Sequence, residues 1–302
     1  MSQYAFPLIA VLIWAANTVV SKLAAGVIFP AEIGFYRWLL AGLLFTPFLL
    51  KPVLANWAQV KPQLGRLAVL GILGMATYQS LAYYAAHMTT ATNMGIILSL
   101  MPLMALTLSI VLLGQQLTWG SIAGAVLSFA GVLVVISGGS LAVLLSHGIG
   151  LGDGLMLIAN LAYALYSVLL KKWQIKLPAL QMLYVQILVA ILALLPLYLA
   201  SPKAGLSMAN VPYVLFAGIL ASMVAALAWM HGVARLGPSR IAVFFNLLPL
   251  FTALCAAWVL KERLALYHLL GGVLILAGVF LSERWKTALS QRPPKVVATE
   301  QA

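Results

Sequence analysis

Ten stretches of nearly unbroken apolar sequence leave this chain few folds to choose from. They fall at 4–25, 30–50, 64–86, 92–113, 118–137, 151–170, 178–199, 211–234, 239–260 and 265–282. A helix needs about 20 apolar residues to cross a bilayer. In hydrocarbon every backbone polar group must be satisfied within the protein, which restricts spanning segments to helices or closed barrels. The runs are continuous rather than alternating, so helices are expected. Only 7% of the 302 residues are charged, against about 25% in a soluble domain. Mean hydropathy is +1.08, and too little charge remains to build a water-facing surface. The first run lacks a basic leader and outruns the apolar core of a signal peptide, so it is expected to be the first helix. Cys255, the one cysteine, has apolar neighbours and is expected to serve packing.

A net charge of +12 invites a nucleic-acid partner, but the positions argue against one. With the amino terminus in the cytoplasm, Lys51, Lys61, Arg66, Lys171, Lys172, Lys176, Arg235, Arg240, Arg284, Lys286, Arg292 and Lys295 share that side. Lys22, Lys203, Lys261 and Arg263 fall on the other, and Arg37 lies inside the second run. This is a positive-inside bias. It predicts cytoplasmic termini in a plasma (inner) membrane protein of a bacterial cell, with the lipid bilayer rather than nucleic acid as partner.

One run, TNMGIILSLMPLMALTLSIVLL at 92–113, carries Pro102 in its middle. Such a proline costs roughly 3 kcal/mol in a water-soluble helix. The punctuation returns 147 residues later as Pro249, in NLLPLFT at 246–252. At that offset Leu103 meets Leu250, Leu113 meets Leu260, Gly124 meets Gly271, and VLSFAGV (126–132) meets VLILAGV (273–279). The register extends back to GIL at 71–73 and 218–220, and at an offset of 149 Trp14 falls on Tyr163. The chain therefore reads as two five-helix repeats, 1–137 and 151–283, joined by a loop at 138–150 and followed by a disordered cytoplasmic tail at 284–302. Five is odd, so the second repeat enters the membrane from the opposite side. The expected fold is an all-α membrane protein of ten transmembrane helices in a 5+5 inverted repeat, an arrangement common in transporters.

Three features resemble the drug/metabolite transporter superfamily in its ten-helix EamA-type branch. They are LIWAANTVVSKLA at 12–24, PAEIGFYRWLLAGLL at 30–44, and the P…L…L…G…GV pattern closing each half. The resemblance runs from about residue 4 to 283. It implies a central cavity lined by helices 1, 3 and 4 with 6, 8 and 9, alternating access, and export of small metabolites without a cofactor. Among relatives the chain looks most like amino-acid exporters, aromatic ones included. Many members end helix 9 on an acidic residue. Glu262 keeps that position, while its counterpart in the first half is Gln115. Helices 5 and 10, with Gly120, Gly124, Gly131, Gly271, Gly272 and Gly278, are implied to lie outside the cavity and to serve packing or dimer contact. A monomer or weak dimer is expected.

Polar side chains deep in a bilayer are costly and so mark function. Trp14, Asn17 and Ser21 share a helix face by spacing, as do Gln79 and Tyr83, while Tyr78, Tyr163, Tyr166 and Trp229 also lie well inside their runs. Each proline frees the carbonyl four residues back, Leu98 or Phe245, and has a polar residue three back, Ser99 or Asn246. Such a site suits a cavity wall better than lipid. The expected substrate-binding residues are Trp14, Asn17, Tyr78, Gln79, Tyr83, Ser99, Tyr163, Tyr166, Trp229 and Asn246, with Pro102 and Pro249 as hinges.

The five acidic residues, Glu32, Asp153, Glu262, Glu283 and Glu300, all fall outside mid-depth. That argues against cationic drugs and against a carboxylate proton relay. His87 and His231 lie near helix ends. Arg37 can snorkel, pair with Glu32 or meet a substrate carboxylate; because the resemblance implies that helix 2 is peripheral, the pair with Glu32 is the expected role. The cavity suits a neutral or zwitterionic amphipathic solute: an amino acid with a hydrophobic or aromatic side chain, or a purine, vitamin or drug. An enzyme would need clustered acid–base or metal-binding groups, and no metal site is expected. A lipid scramblase or structural membrane protein would instead present an open polar groove.

Overall fold

The structure, a computed structural model, describes residues 4–140, 142, 150–236, 244–245, 247–285 and 287. Among these the chain forms helices and no strands. We number the main helices in chain order: α1 Ala5–Ala24, α2 Pro30–Ala55, α3 64–88, α4 Ala91–Leu113, α5 Trp119–Ile136, α6 Leu151–Trp173, α7 Ala179–Ala200, α8 Val211–Leu236, α9 Leu248–Leu260 and α10 Leu266–Arg284. Seven of them (α1, α2 and α4–α8) are long and apolar enough to cross a membrane, and the apolar stretches of α9 and α10 are shorter. Large apolar side chains face outward with nothing to cover them, among them Phe48 (74% exposed), Val111 (73%) and Trp258 (77%). That surface suits lipid, not water.

Exchanging the first five helices for the second five preserves the main helix pairings. α1 lies against α8 and α9, as α6 lies against α3 and α4. α2 packs on α7, α4 on α9, and α5 on α10. Local geometry repeats too. α3 and α8 each widen into π-type turns, at Ile72–Thr77 and Phe216–Val224. α4 and α9 each end in a left-handed residue, Gly114 (φ 67°) and Lys261 (φ 57°). A left-handed lysine is uncommon; here it turns the chain so that the next residue, Glu262, reaches back to α4.

The α5–α10 seam is built on glycine. A Cβ on Gly124 would sit 2.4 Å from the Gly278 carbonyl oxygen, and one on Gly131 would sit 2.6 Å from that of Gly271. Gly272 faces open space and takes no part. The missing side chains let the two backbones approach, as dispersion-driven packing in lipid requires. Ser128 Oγ donates across the seam to the Ile275 carbonyl at 3.1 Å.

Three carboxylates gather at one end of the bundle, each holding backbone or hydroxyl donors. Glu32 accepts from the N–H groups of Ala204 and Gly205. Asp153 accepts from the Thr89 hydroxyl. Glu262 accepts from the N–H groups of Ala91 and Thr92 and from the Thr92 hydroxyl, at 2.9, 3.0 and 2.6 Å. A carboxylate here also suits the positive end of the α4 dipole. We call this the carboxylate end. Lys22 Nζ donates to the Ala86 carbonyl at the same end.

At the opposite end the tail does not leave the bundle at once. Trp119 N–H donates to the Thr287 carbonyl, which holds the chain against the start of α5. The rest of the expected tail, and most of the expected 138–150 loop, lie outside the described residues.

Candidate functional site

A cavity of about 640 Å³ lies between the halves. Its wall comes from α1–α4 and α6–α9, while α5 and α10 contribute nothing. It runs from Ser21, Met94 and Met156 toward Leu170 and Ala179, which border the α6–α7 turn away from the carboxylate end.

Two aromatic groups form much of the wall. In one, Phe245 stacks on Trp14 (centroids 5.5 Å apart, planes at 19°) and meets Trp229 edge-on at 4.5 Å. In the other, Tyr163 lies 4.9 Å from Tyr78 and 5.1 Å from Tyr166. Trp14 and Tyr163, paired in the internal repeat, thus anchor the two groups. The widened turns hold this wall in place. A π-type turn shifts the hydrogen-bond ladder by one residue and leaves carbonyls off register. Trp14 Nε1 donates to the Ala221 carbonyl in the α8 turn, and Trp38 Nε1 to the Met75 carbonyl in the α3 turn, both at 3.1 Å. Gly74 makes room beside the second group: a Cβ there would lie 2.7 Å from the Tyr166 ring.

Amides supply polarity. Asn17 and Gln186 line the cavity, are 8% and 1% exposed, and each has an amide oxygen without a protein partner. Buried polar atoms are usually paired; these two oxygens are unpaired among the described residues but are themselves buried, so they meet a solute only if the amides turn. Gln79 and Ser99 also line the wall.

Both prolines border the cavity, and neither sits inside a continuous helix. α4 breaks after Leu98, and Pro102 is the second residue of a fresh segment, Met101–Leu113. Proline is tolerated there because a first-turn N–H has no helical partner to lose. Pro249 occupies the same place in α9. Ser99 Oγ donates to the Ile96 carbonyl at the break, and Asn160 Nδ2 of α6 donates to the Ile97 carbonyl.

Of the residues expected from sequence, Trp14, Asn17, Tyr78, Gln79, Ser99, Tyr163, Tyr166, Trp229, Pro102 and Pro249 all line this one cavity. Tyr83 does not; it is 2% exposed and its hydroxyl accepts from Arg37. Asn246 lies outside the described residues. His87 and His231 are exposed near helix ends.

The expected Arg37–Glu32 pair is absent, since Glu32 is committed to the 204–205 backbone at the carboxylate end. Arg37 instead turns to the cavity and is 4% exposed. α2 and α7, implied to be peripheral, both reach the wall, through Arg37, Trp38, Met182 and Gln186 among others. The sequence held a signal for this: a lone arginine in α2 and lone glutamines in α7, each unexplained by lipid exposure. Among the described residues no three His, Cys, Asp or Glu side chains gather at a point where a metal could be held.

The fold is similar to that of a solved crystal structure, with a TM-score of 0.62 at 19% identity over 93% of this chain and 96% of that one. In sequence the chain is 29% identical over 280 residues to an uncharacterized transporter of Archaeoglobus fulgidus, covering 90% of this chain and 93% of the relative. It is 26% identical over 266 residues to the uncharacterized transporter YyaM of Bacillus subtilis, covering 86% of each. It is also 26% identical over 221 residues to a protein of Streptantibioticus cattleyicolor named a probable terminal-alkyne amino-acid exporter, covering 72% of each. The pattern of one family matches twice, over residues 1–137 and 150–284, and by that match the chain belongs to the EamA-like transporter family of membrane proteins.

Proposed function

We propose that this protein is a carrier that exports small amphipathic metabolites, hydrophobic and aromatic amino acids foremost, by alternating access through the central cavity. The observation that carries the reading is the composition of the wall: two aromatic groups, buried amides, and, among the described residues, no aspartate or glutamate. Such a wall stacks an apolar or aromatic side chain and offers hydrogen bonds to a polar head. It gives a bare cation no carboxylate to replace its water. The amino-acid exporter named among the relatives points the same way.

The recurring helix pairings and the 147-residue repeat support ten membrane helices as an inverted 5+5 pair, 1–137 and 151–283. The lysine- and arginine-rich end would then face the cytoplasm of a bacterial inner membrane, with both chain termini there. On this reading the cavity faces the cytoplasm, because the ties of Glu262, Asp153 and Lys22 close the other end. The breaks at Pro102 and Pro249 act as hinges when the ties exchange.

Uptake of a labelled amino-acid panel into liposomes holding the purified protein, with and without an imposed pH gradient, tests this reading. Downhill uptake of hydrophobic or aromatic amino acids, indifferent to the gradient, is expected. Silence across the panel refutes the amino-acid assignment and brings purines and vitamins forward. Strict dependence on the gradient refutes a carrier without a proton site.

A further inference from the structure

Arg37 is a buried cation with no anionic partner among the described residues. Its Nε donates to Ser222 Oγ at 2.6 Å and its Nη1 to the Tyr83 hydroxyl at 3.3 Å. A guanidinium has five N–H donors, so three remain without an acceptor among the described residues. Ser222 cannot turn away, because its own hydroxyl donates to the Ala217 carbonyl at 2.8 Å in the widened turn of α8. Trp38 backs the guanidinium at 5.0 Å. The carboxylates of Glu32, Asp153 and Glu262 are all engaged at the bundle end. A desolvated charge left in this state is costly unless an anion completes it, and the cavity is the open side.

Resting on the carrier reading above, we propose that Arg37 is the carboxylate-binding residue of the cavity. The cargo is an organic acid anion, α-amino acids included. Its carboxylate docks on the free N–H edge of Arg37, and its apolar body reaches the Trp14 group. The two sites adjoin through the backbone: Ser222 holds Arg37, and the neighbouring Ala221 carbonyl holds Trp14. Arginine suits this role because its planar fork matches a carboxylate bidentately. Among the described residues that line the cavity there is one cation and no acid, and this asymmetry sets the preference. An acid should bind better than its amide, and a bare amine should bind worst.

The test is calorimetric binding to the purified full-length protein, with 3-phenylpropanoate, L-phenylalanine, L-phenylalaninamide and phenethylamine as probes. The wild type should bind the two carboxylates at least about 10-fold more tightly than the amide and the amine. R37Q should weaken carboxylate binding about 10- to 100-fold, to the level of the amide. R37K should restore part of the preference. If R37Q does not fold, the acid-over-amide ratio in wild type and R37K decides. The proposal is overturned if the wild type binds no carboxylate, if it binds amide as tightly as acid, or if R37Q keeps the wild-type ratio. Liposome uptake separates the two readings. Binding with acid preference but no uptake sinks the carrier and keeps Arg37; uptake without acid preference does the reverse.

Discussion

Glu262→Gln should loosen the carboxylate end without unfolding the protein. In the structure the Glu262 carboxylate joins the end of α9 to the start of α4 through three hydrogen bonds, from the backbone N–H groups of Ala91 and Thr92 and from the Thr92 hydroxyl. A glutamine keeps one acceptor, and its Nε2 would face donors instead of accepting from them. With its oxygen in the place of Oε2 it keeps both Thr92 bonds and loses the one from Ala91, and the two that remain lose their charge assistance; a hydrogen bond to a charged group is worth about 1.5–3 kcal/mol when buried. Glu262 is only half-buried, and water will replace part of the loss, so about 2 kcal/mol is the reasonable net figure. If the two helix ends part when the cavity opens toward the carboxylate end, that energy enters the conformational equilibrium directly. It should raise the population open at that end about 30-fold. The readout is the labelling rate of a single cysteine at Ser21, which lines the cavity near this end. The background is Cys255→Ala, in sealed liposomes, with an impermeant maleimide added on that side. The expected result is a rate increase of about 30-fold over the Glu262 parent. An unchanged rate, within about twofold, in a variant that melts at the parent's temperature would refute the idea that this contact is a gate.

Three further outcomes follow from the geometry. Gly124→Leu should lower the melting temperature sharply or abolish folding, since its Cβ alone would meet the Gly278 carbonyl oxygen at 2.4 Å; overpacking costs about 1–3 kcal/mol or more. Gly272→Ala, facing open space, should be tolerated, and thermal melts in detergent compare the two. Trp14→Phe should keep initial uptake rates within about fivefold because the stack on Phe245 survives, whereas Trp14→Ala should lose about 10-fold or more. Pro102→Ala removes the ring that keeps the chain from continuing the Ala91–Leu98 segment as one helix and should straighten the break after Leu98. Uptake should fall about 10-fold with the melting temperature held or raised, and unaltered uptake would show that the break is no hinge.

The helices were legible because the bilayer imposes a simple rule on sequence: nine of the ten apolar runs match a helix to within about five residues, and the ninth in order, expected at 239–260, is helical from Leu248 with part of its start outside the described residues. The cavity wall was legible where spacing fixes a face: Trp14, Asn17 and Ser21, at i, i+3 and i+7, do line it together. The same arithmetic separates Gly271 from Gly272, which lie about 100° apart around α10, so only one can join the seam. The widened turns of α3 and α8 were not legible. One extra residue per turn leaves no mark in an apolar run, and Gly74 and Gly218 announce room without saying what fills it.

Of the roles open to Arg37, the favoured pair with Glu32 fails for a reason that helix geometry could have given. Glu32 lies five residues before it, about 140° away around the helix, whereas side chains pair at three or four. The internal repeat sharpens the point. Pro30, Ala31 and Tyr36 meet Pro178, Ala179 and Tyr184 at an offset of 148, and at that offset Arg37 meets Val185. The scaffold is duplicated but the charge is not. A carrier with two equivalent half-sites would bind its cargo in two equivalent poses. If Arg37 docks the cargo as proposed, one unduplicated cation gives that cargo a single orientation, and rocking of the near-symmetric scaffold would then present the same bound solute to either side of the membrane.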